Sequence, residues 1–135
     1  MGRSLLILVD THIVVWLAFE EARLSKRARA AIMDARRNGQ GLAISDISLL
    51  ELARALSRER KHLGISVESA LAEVELRFVV LPINSRISLR AFGLPRSYPK
   101  DPADRIIGAT ALVENMPLVT ADRAIQDSGL LHTIW

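Results

Sequence analysis

The stretch Leu5-Leu6-Ile7-Leu8-Val9-Asp10-Thr11-His12 decides how the rest of the chain is read. Five aliphatic residues in a row predict a strand buried on both faces, as happens inside a parallel sheet. Ile13, Val14, Trp16, Leu17 and Phe19 follow at spacings that suit an amphipathic helix. Asp10 therefore falls where the first strand ends and the first helix begins. In open α/β sheets, ligands bind at that edge, outside the carboxyl ends of the strands. Aspartate is also a favoured helix N-cap, so Asp10 has a structural reading beside the functional one.

Working outward, Ser25 predicts the N-cap of a second helix that stops at Gly39. Leu24, Ala28, Ala31, Ile32 and Ala35 line one face of it, and Lys26, Arg29, Arg36 and Arg37 lie largely off that face. Residues 42–45 read as a second strand. Ser48 and Glu51 then match a capping box, opening a helix through Leu52, Ala53 and Leu56 to His62, with Gly64 as its stop. Ser66 caps a shorter helix over 67–76, residues 78–81 form a strand closed by Pro82, and a helix covers 86–92. Residues 93–100 contain glycine, two prolines and Tyr98 and read as a loop. Asp101-Pro102-Ala103-Asp104 starts a helix, with an acid at the cap, proline at the first position and a second acid in the first turn. That helix ends near Asn115-Met116-Pro117. Residues 118–120 form a strand with Ala121-Asp122 as its exit, 124–127 a short helix, and 133–135 an edge strand. Strands alternate with helices throughout, which predicts an α/β fold of parallel βαβ units with right-handed crossovers.

The chain has 135 residues, 50% of them hydrophobic, enough for one domain with one core. It has no cysteine, which excludes disulfides, thiolate metal sites and a cysteine nucleophile, and fits a reducing cytoplasm. A net charge of +3 and a pI near 9.9 favour polyanionic partners. Arg3 and the apolar run after it imitate a secretory signal, but Asp10, Thr11 and His12 interrupt the run and Glu20-Glu21 occupy the cleavage region. No apolar stretch approaches the ~18 residues of a membrane span. The expectation is a soluble cytoplasmic protein.

Four acids share one property. Asp10 and Asp122 follow strands directly, while Glu51 and Asp104 lie in first helical turns. A parallel sheet gathers such positions at one edge. Carboxylates brought together there repel one another unless a cation or protons intervene, and hard oxygen donors suit Mg²⁺ or Mn²⁺. Each acid keeps a structural alternative: Glu51 as a capping-box partner, Asp104 as a complement to the helix dipole. Thr11 and Thr120 stand beside acids, where they either orient a carboxylate or a water, or merely favour their strands. His12 reads as a supporting histidine rather than a ligand, and His62 and His132 as incidental.

At these residues the sequence resembles PIN-domain ribonucleases, specifically the VapC toxins of bacterial and archaeal toxin–antitoxin pairs. The resemblance is carried by Val9-Asp10-Thr11-His12 with Trp16-Leu17, and by Ile47-Ser48-Leu49-Leu50-Glu51-Leu52-Ala53. Asp101-Pro102-Ala103-Asp104-Arg105 with Ile106 to Ala109, and Leu118-Val119-Thr120-Ala121-Asp122, extend it, and Ile134-Trp135 suits one subgroup. It implies a single PIN domain over residues 1–135, built as an α/β/α sandwich around a central, mainly parallel sheet. It also implies a Mg²⁺- or Mn²⁺-dependent endoribonuclease with Asp10, Glu51, Asp104 and Asp122 as the catalytic acids. Asp10 and Asp104 would be the direct metal ligands, with Glu51 and Asp122 positioning the ion or its water and Asp101 acting as a cap. The family further implies an RNA substrate, a homodimer, and a VapB antitoxin whose C-terminal segment covers the acidic pocket. Such a partner would insert a basic side chain near Asp10, Glu51 and Asp104 and dock apolar side chains around Trp16 and Leu17. Tyr98-Pro99-Lys100 departs from the pattern, since relatives often carry histidine before the Asp-Pro.

Two competing readings are weaker. A haloacid-dehalogenase-like phosphatase needs a second aspartate where this chain has His12. A catalytically inactive PIN-like module that binds RNA or protein would leave a complete acid set unused at a cost in stability. No glycine-rich phosphate loop or dinucleotide fingerprint is present.

Overall fold

The computed structural model describes residues 6–135, with the backbone alone at residues 59–63. The chain runs β1 (Ile7–Val9), α1 (Thr11–Phe19), a 3-10 turn (Glu21–Arg23), α2 (Lys26–Arg37), β2 (Leu42–Ser45), α3 (Ile47–Leu63) and α4 (Val67–Arg77). It continues through β3 (Val79–Leu81), α5 (Ser85–Phe92), α6 (Pro102–Glu114), β4 (Leu118–Val119), α7 (Arg123–Ser128) and β5 (Thr133–Ile134). All strand pairings are parallel, in the order β3-β2-β1-β4-β5.

β1 lies at the centre because its residues can be buried on both sides. Leu8 and Val9, Ala43 and Ile44, and Leu118 and Val119 alternate between the two faces, as a pleated strand requires. Val9, Leu42, Ile44 and Val119 meet Ile13, Ala28, Ile32 and Leu52 from α1, α2 and α3. Leu8, Ala43 and Leu118 meet Ile107 and Ala111 of α6 and Ile125 of α7. Ile87 and Ala91 of α5 pack against Ala109, which puts α5 outside α6. The result is the α/β/α sandwich the resemblance implies.

Element boundaries differ from the sequence reading in instructive places. The strand expected from Leu5 pairs only over Ile7–Val9; Leu5 and Arg3 lie outside the described residues, as does the side chain of His62. Phe78 is the C-cap of α4 rather than a strand residue, its N–H donating to the Val74 carbonyl. β4 ends at Val119, one residue before Thr120, whose hydroxyl donates to Asp10 in the site below. The caps at Ser25, Ser66 and Asp101 each accept a backbone N–H as expected, at 3.1, 3.0 and 3.1 Å. Asn115 ends α6 in the left-handed conformation that asparagine tolerates.

Strand order fixes where a site can form. From β1 the sheet grows through β2 and β3 to one side and through β4 and β5 to the other. The connections after β1 and β4 leave toward opposite faces and open a crevice between the ends of those two strands. Asp10 follows the first strand and Thr120-Ala121-Asp122 the second.

Candidate active site

Asp10 is only 6% exposed, at the N-cap of α1. Its Oδ1 accepts the Thr11 N–H at 2.8 Å, and its Oδ2 accepts the Thr120 hydroxyl at 2.7 Å. The second bond crosses the crevice and ties β1 to the exit of β4. Burial pushes the Asp10 carboxyl above its ordinary value, outweighing the two hydrogen bonds that favour the charge. Thr120 is fully buried, and its oxygen also accepts the Asp122 N–H at 3.1 Å.

Thr11 repeats this arrangement with the third helix. Its hydroxyl donates to Glu51 Oε1 at 2.6 Å and lies 2.8 Å from Ser48 Oγ. Because the one Thr11 proton is given to Glu51, Ser48 is the donor in the second bond. The capping box predicted for Ser48 and Glu51 is therefore not formed. The helix starts two residues earlier, at Ile47, whose N–H is taken by Ser45 Oγ at 3.2 Å, while the Leu49 N–H reaches the Asp46 carbonyl at 3.1 Å. Ser48 is thus inside the first turn and faces Thr11, and Glu51 turns toward the crevice.

Asp104 enters from the other side on α6. Its backbone N–H is capped by Asp101, as the Asp-Pro pattern predicts. Among the described residues its carboxylate takes no hydrogen bond and no ion pair. Burial pushes it up to about 7, helped by the negative charges of Asp10, Asp101, Asp122 and Glu51. Thr11 links Asp10 to Glu51 and Thr120 links Asp10 to Asp122, and Asp104 lies within electrostatic reach of all three. Asp122 also caps α7, its Oδ1 accepting the Ile125 N–H at 3.2 Å. Among the described residues, ion pairs occur only on distant helix surfaces, between Arg23 and Glu20, Arg37 and Asp34, and Arg77 and Glu73. No three acids or histidines there close into a ready-made cation cage. His12 is exposed on α1, and its charge favours the ionised form of Asp10.

Tyr98 is the residue that sequence reasoning missed. Its ring is 1% exposed, and its hydroxyl donates to the Asp104 carbonyl at 3.3 Å. Burial, then the charges of Asp104, Asp10 and Asp122, hold the phenol above its usual value. A Cβ at Gly108 would stand 2.1 Å from the Tyr98 oxygen, so the ring fits only against glycine. A glycine in the middle of α6 was the available signal, since that position otherwise weakens a helix. Arg105 pins the same loop, donating to the carbonyls of Ala91, Leu94 and Pro99. Its guanidinium is engaged by backbone rather than by the acids.

The PIN domain family model matches residues 7–129. The chain belongs to the PIN-domain family. It is 38% identical over 120 residues, 89% of each chain, to Ribonuclease VapC22 of Mycobacterium tuberculosis. The fold is shared with VapBC2 from Rickettsia felis, solved bound to a DNA fragment from their promoter, at a TM-score of 0.73 and 20% identity over 95% of this chain and 96% of that one. DNA-bound VapBC from Salmonella typhimurium gives 0.70 and 20% over 98% and 97%. Membership of this family sets aside the phosphatase alternative. Among the described residues no helix is long and apolar enough to cross a membrane.

Proposed function

We propose that this chain is a VapC-type endoribonuclease toxin, a single PIN domain that cuts RNA with a divalent cation and is silenced by a VapB-type antitoxin. The observation that carries the proposal is the hydrogen-bonded chain that ties Glu51, Asp10 and Asp122 together through Thr11 and Thr120, with Asp104 in electrostatic reach and no lysine or arginine paired to these acids among the described residues. The donors are all hard carboxylate oxygens, and the charge they bring together is uncompensated. That chemistry fits Mg²⁺ or Mn²⁺, and Mg²⁺ takes one or two carboxylates directly and keeps waters for the rest. Asp10 and Asp104 are assigned as the direct ligands, with Glu51 and Asp122 beside them. When bound, the cation supplies positive charge to the phosphoryl oxygens and acidifies water.

The chain's own groups prepare the site. Thr120 and the Thr11 N–H hold the Asp10 carboxylate in one rotamer. Thr11 holds Glu51 by Oε1 alone, which leaves Oε2 to orient a water or take its proton. Tyr98 steadies the first turn of α6 and so the position of Asp104.

An apolar trough of about 430 Å³ supports the partner reading. Leu17, Phe19, Leu52, Leu56, Val74 and Phe78 are among its walls, between α1, α3 and α4. Leu17 lines it. The Trp16 ring packs 5.9 Å from Trp135 and lies under the Arg23 guanidinium at 4.4 Å, outside the walls of this trough. Apolar side chains of an antitoxin segment would fill the trough, and its basic side chain would pair with the acids. A homodimer in the cytoplasm completes the proposal.

The test is cleavage of single-stranded RNA by the purified chain with Mg²⁺ or Mn²⁺. Activity should vanish in EDTA and in a complex with a VapB-type protein. Cleavage that persists in EDTA, once contaminating nucleases are excluded, would overturn the metal assignment.

A further inference from the structure

Beside the acids lies a second concavity, of about 230 Å³, whose walls include Thr11, His12, Glu51, Arg54, Ala55 and Arg58. Glu51, Arg54, Ala55 and Arg58 recur at three- and four-residue steps, so they share one face of α3. Thr11 and Glu51 belong both to this shelf and to the hydrogen-bonded acid site. From the sheet edge outward, one strip of surface therefore passes from carboxylates to guanidinium groups.

Neither arginine forms an ion pair among the described residues. Arg23, Arg37 and Arg77 each sit three or four residues from an acid and pair with it. Arg54 stands three residues after Glu51, yet Glu51 is turned to Thr11, and Arg54 forms no ion pair among the described residues. Its neighbour one turn on is Arg58, also exposed and also without an ion pair there. Like charges four apart on a helix repel. A bound anion relieves that repulsion, and guanidinium groups match phosphate oxygens in pairs.

We infer that Arg54 and Arg58 form a phosphate-binding shelf that holds the RNA backbone next to, but not at, the bond being cut. The inference rests on the ribonuclease reading. Four carboxylates repel a polyanion, so a strand reaching them needs fixed positive charge at the rim of the site. The shelf supplies it within one helix face of Glu51. Phosphate contacts of this kind position a strand without reading its bases, so the shelf acts on RNA of any sequence.

The experiment measures binding of a labelled, mixed-sequence single-stranded oligoribonucleotide over a salt series, using the full chain carrying Asp104→Asn so that the RNA stays intact. Each phosphate contact on a single strand contributes about 0.7 to the slope of log K against log salt, so Arg54→Gln with Arg58→Gln should lower the slope by about 1.4. Arg54→Lys with Arg58→Lys should restore most of it, and the loss should be equal for oligonucleotides of different sequence. An unchanged slope in the glutamine variant, with circular dichroism like that of the parent, would overturn the shelf. So would a polyglutamate peptide that displaces RNA as well as RNA itself at equal charge, since the shelf would then take an acidic protein segment. The ribonuclease reading is scored separately by cleavage with the parent chain. Arginine-dependent binding without any cleavage would remove the nuclease and leave the shelf; cleavage with an unchanged slope would do the reverse.

Discussion

At the exit of β1, both oxygens of Asp10 are engaged, one by the Thr11 N–H and one by the Thr120 hydroxyl. At the start of α6, the Asp104 carboxylate has no hydrogen bond among the described residues and feels four other negative groups. The two face the same crevice from opposite sides of the sheet edge. The strand end is a locked region, where hydrogen bonds set the rotamer before any ligand arrives. The helix start is a charge-frustrated region, where position is set by the backbone and the carboxylate waits for a proton or a cation. In the proposed site, a preorganised ligand lowers the reorganisation needed at reaction, while a frustrated one gives a cation its affinity.

The largest effect should come from removing either acid. Asp10→Ala and Asp104→Ala are each expected to lower RNA cleavage about 10³-fold, the order seen when a main electrostatic contact to the transition state is lost. Their stabilities should move in opposite directions in metal-free buffer. Asp10→Ala leaves a buried hydroxyl and a helix-capping N–H without acceptors, and should cost about 1 kcal/mol after the relief of the buried charge. Asp104→Ala removes repulsion without orphaning a donor and should gain about as much. Urea melts in EDTA decide this, and shifts of the same sign would dissolve the distinction between the two regions.

Next in size is the packing that carries Asp104. Gly108→Ala sets a methyl against the Tyr98 ring and should destabilise the fold by about 2–3 kcal/mol. Tyr98→Leu introduced with it should recover part of that loss, because the two positions share one contact. Simple additivity in a double-mutant cycle would mean that the ring does not need the glycine. On the locked side, Thr11→Val deletes the hydroxyl between Ser48 and Glu51 and should slow cleavage about 10- to 100-fold, the range for groups that orient a ligand. Wild-type kcat/KM in that variant would show that Glu51 needs no such support.

The sheet was legible because its core strands carry apolar residues on both faces, and βαβ alternation with capping residues places the helices between them. The acids of the site were legible only in part. Asp46 follows β2 as directly as Asp10 follows β1, yet it accepts the Ile83 N–H at 3.3 Å and serves the β3–α5 connection. Strand order separates the two, since β1 borders the crevice and β2 does not, and order is a long-range property that local pattern does not contain. Glu51 fails differently. Ser-x-x-Glu fits a capping box, but a start two residues earlier turns Ser48 into the first helical turn and gives both side chains to Thr11. Helix ends are uncertain by that much in any reading of pattern. Tyr98 was hidden because loop composition predicts exposure, whereas Gly108 and Arg105 draw this loop onto α6.

The smallest effect is the dependence of stability on pH, and it centres on Asp104. Its folded value of about 7 lies above the ordinary 3.8. Between those limits the unfolded chain has released the proton while the folded chain still holds it, so folding takes up protons. Stability must then fall as pH rises through that window and level off above pH 7; below 3.8 both states are protonated and the penalty is absent. Asp10 is raised as well and adds a slope of the same sign, so the difference between the parent and Asp104→Asn reports Asp104 together with its coupling to Asp10. That difference should grow across the window to about 1–2 kcal/mol, less than full burial would give because the Asp104 carboxyl keeps partial contact with water. Added Mn²⁺ should shrink it, since a cation replaces the missing proton. Parallel curves for the two proteins in EDTA would mean that Asp104 is as well satisfied as Asp10, and the contrast between the two ends of the site would be lost.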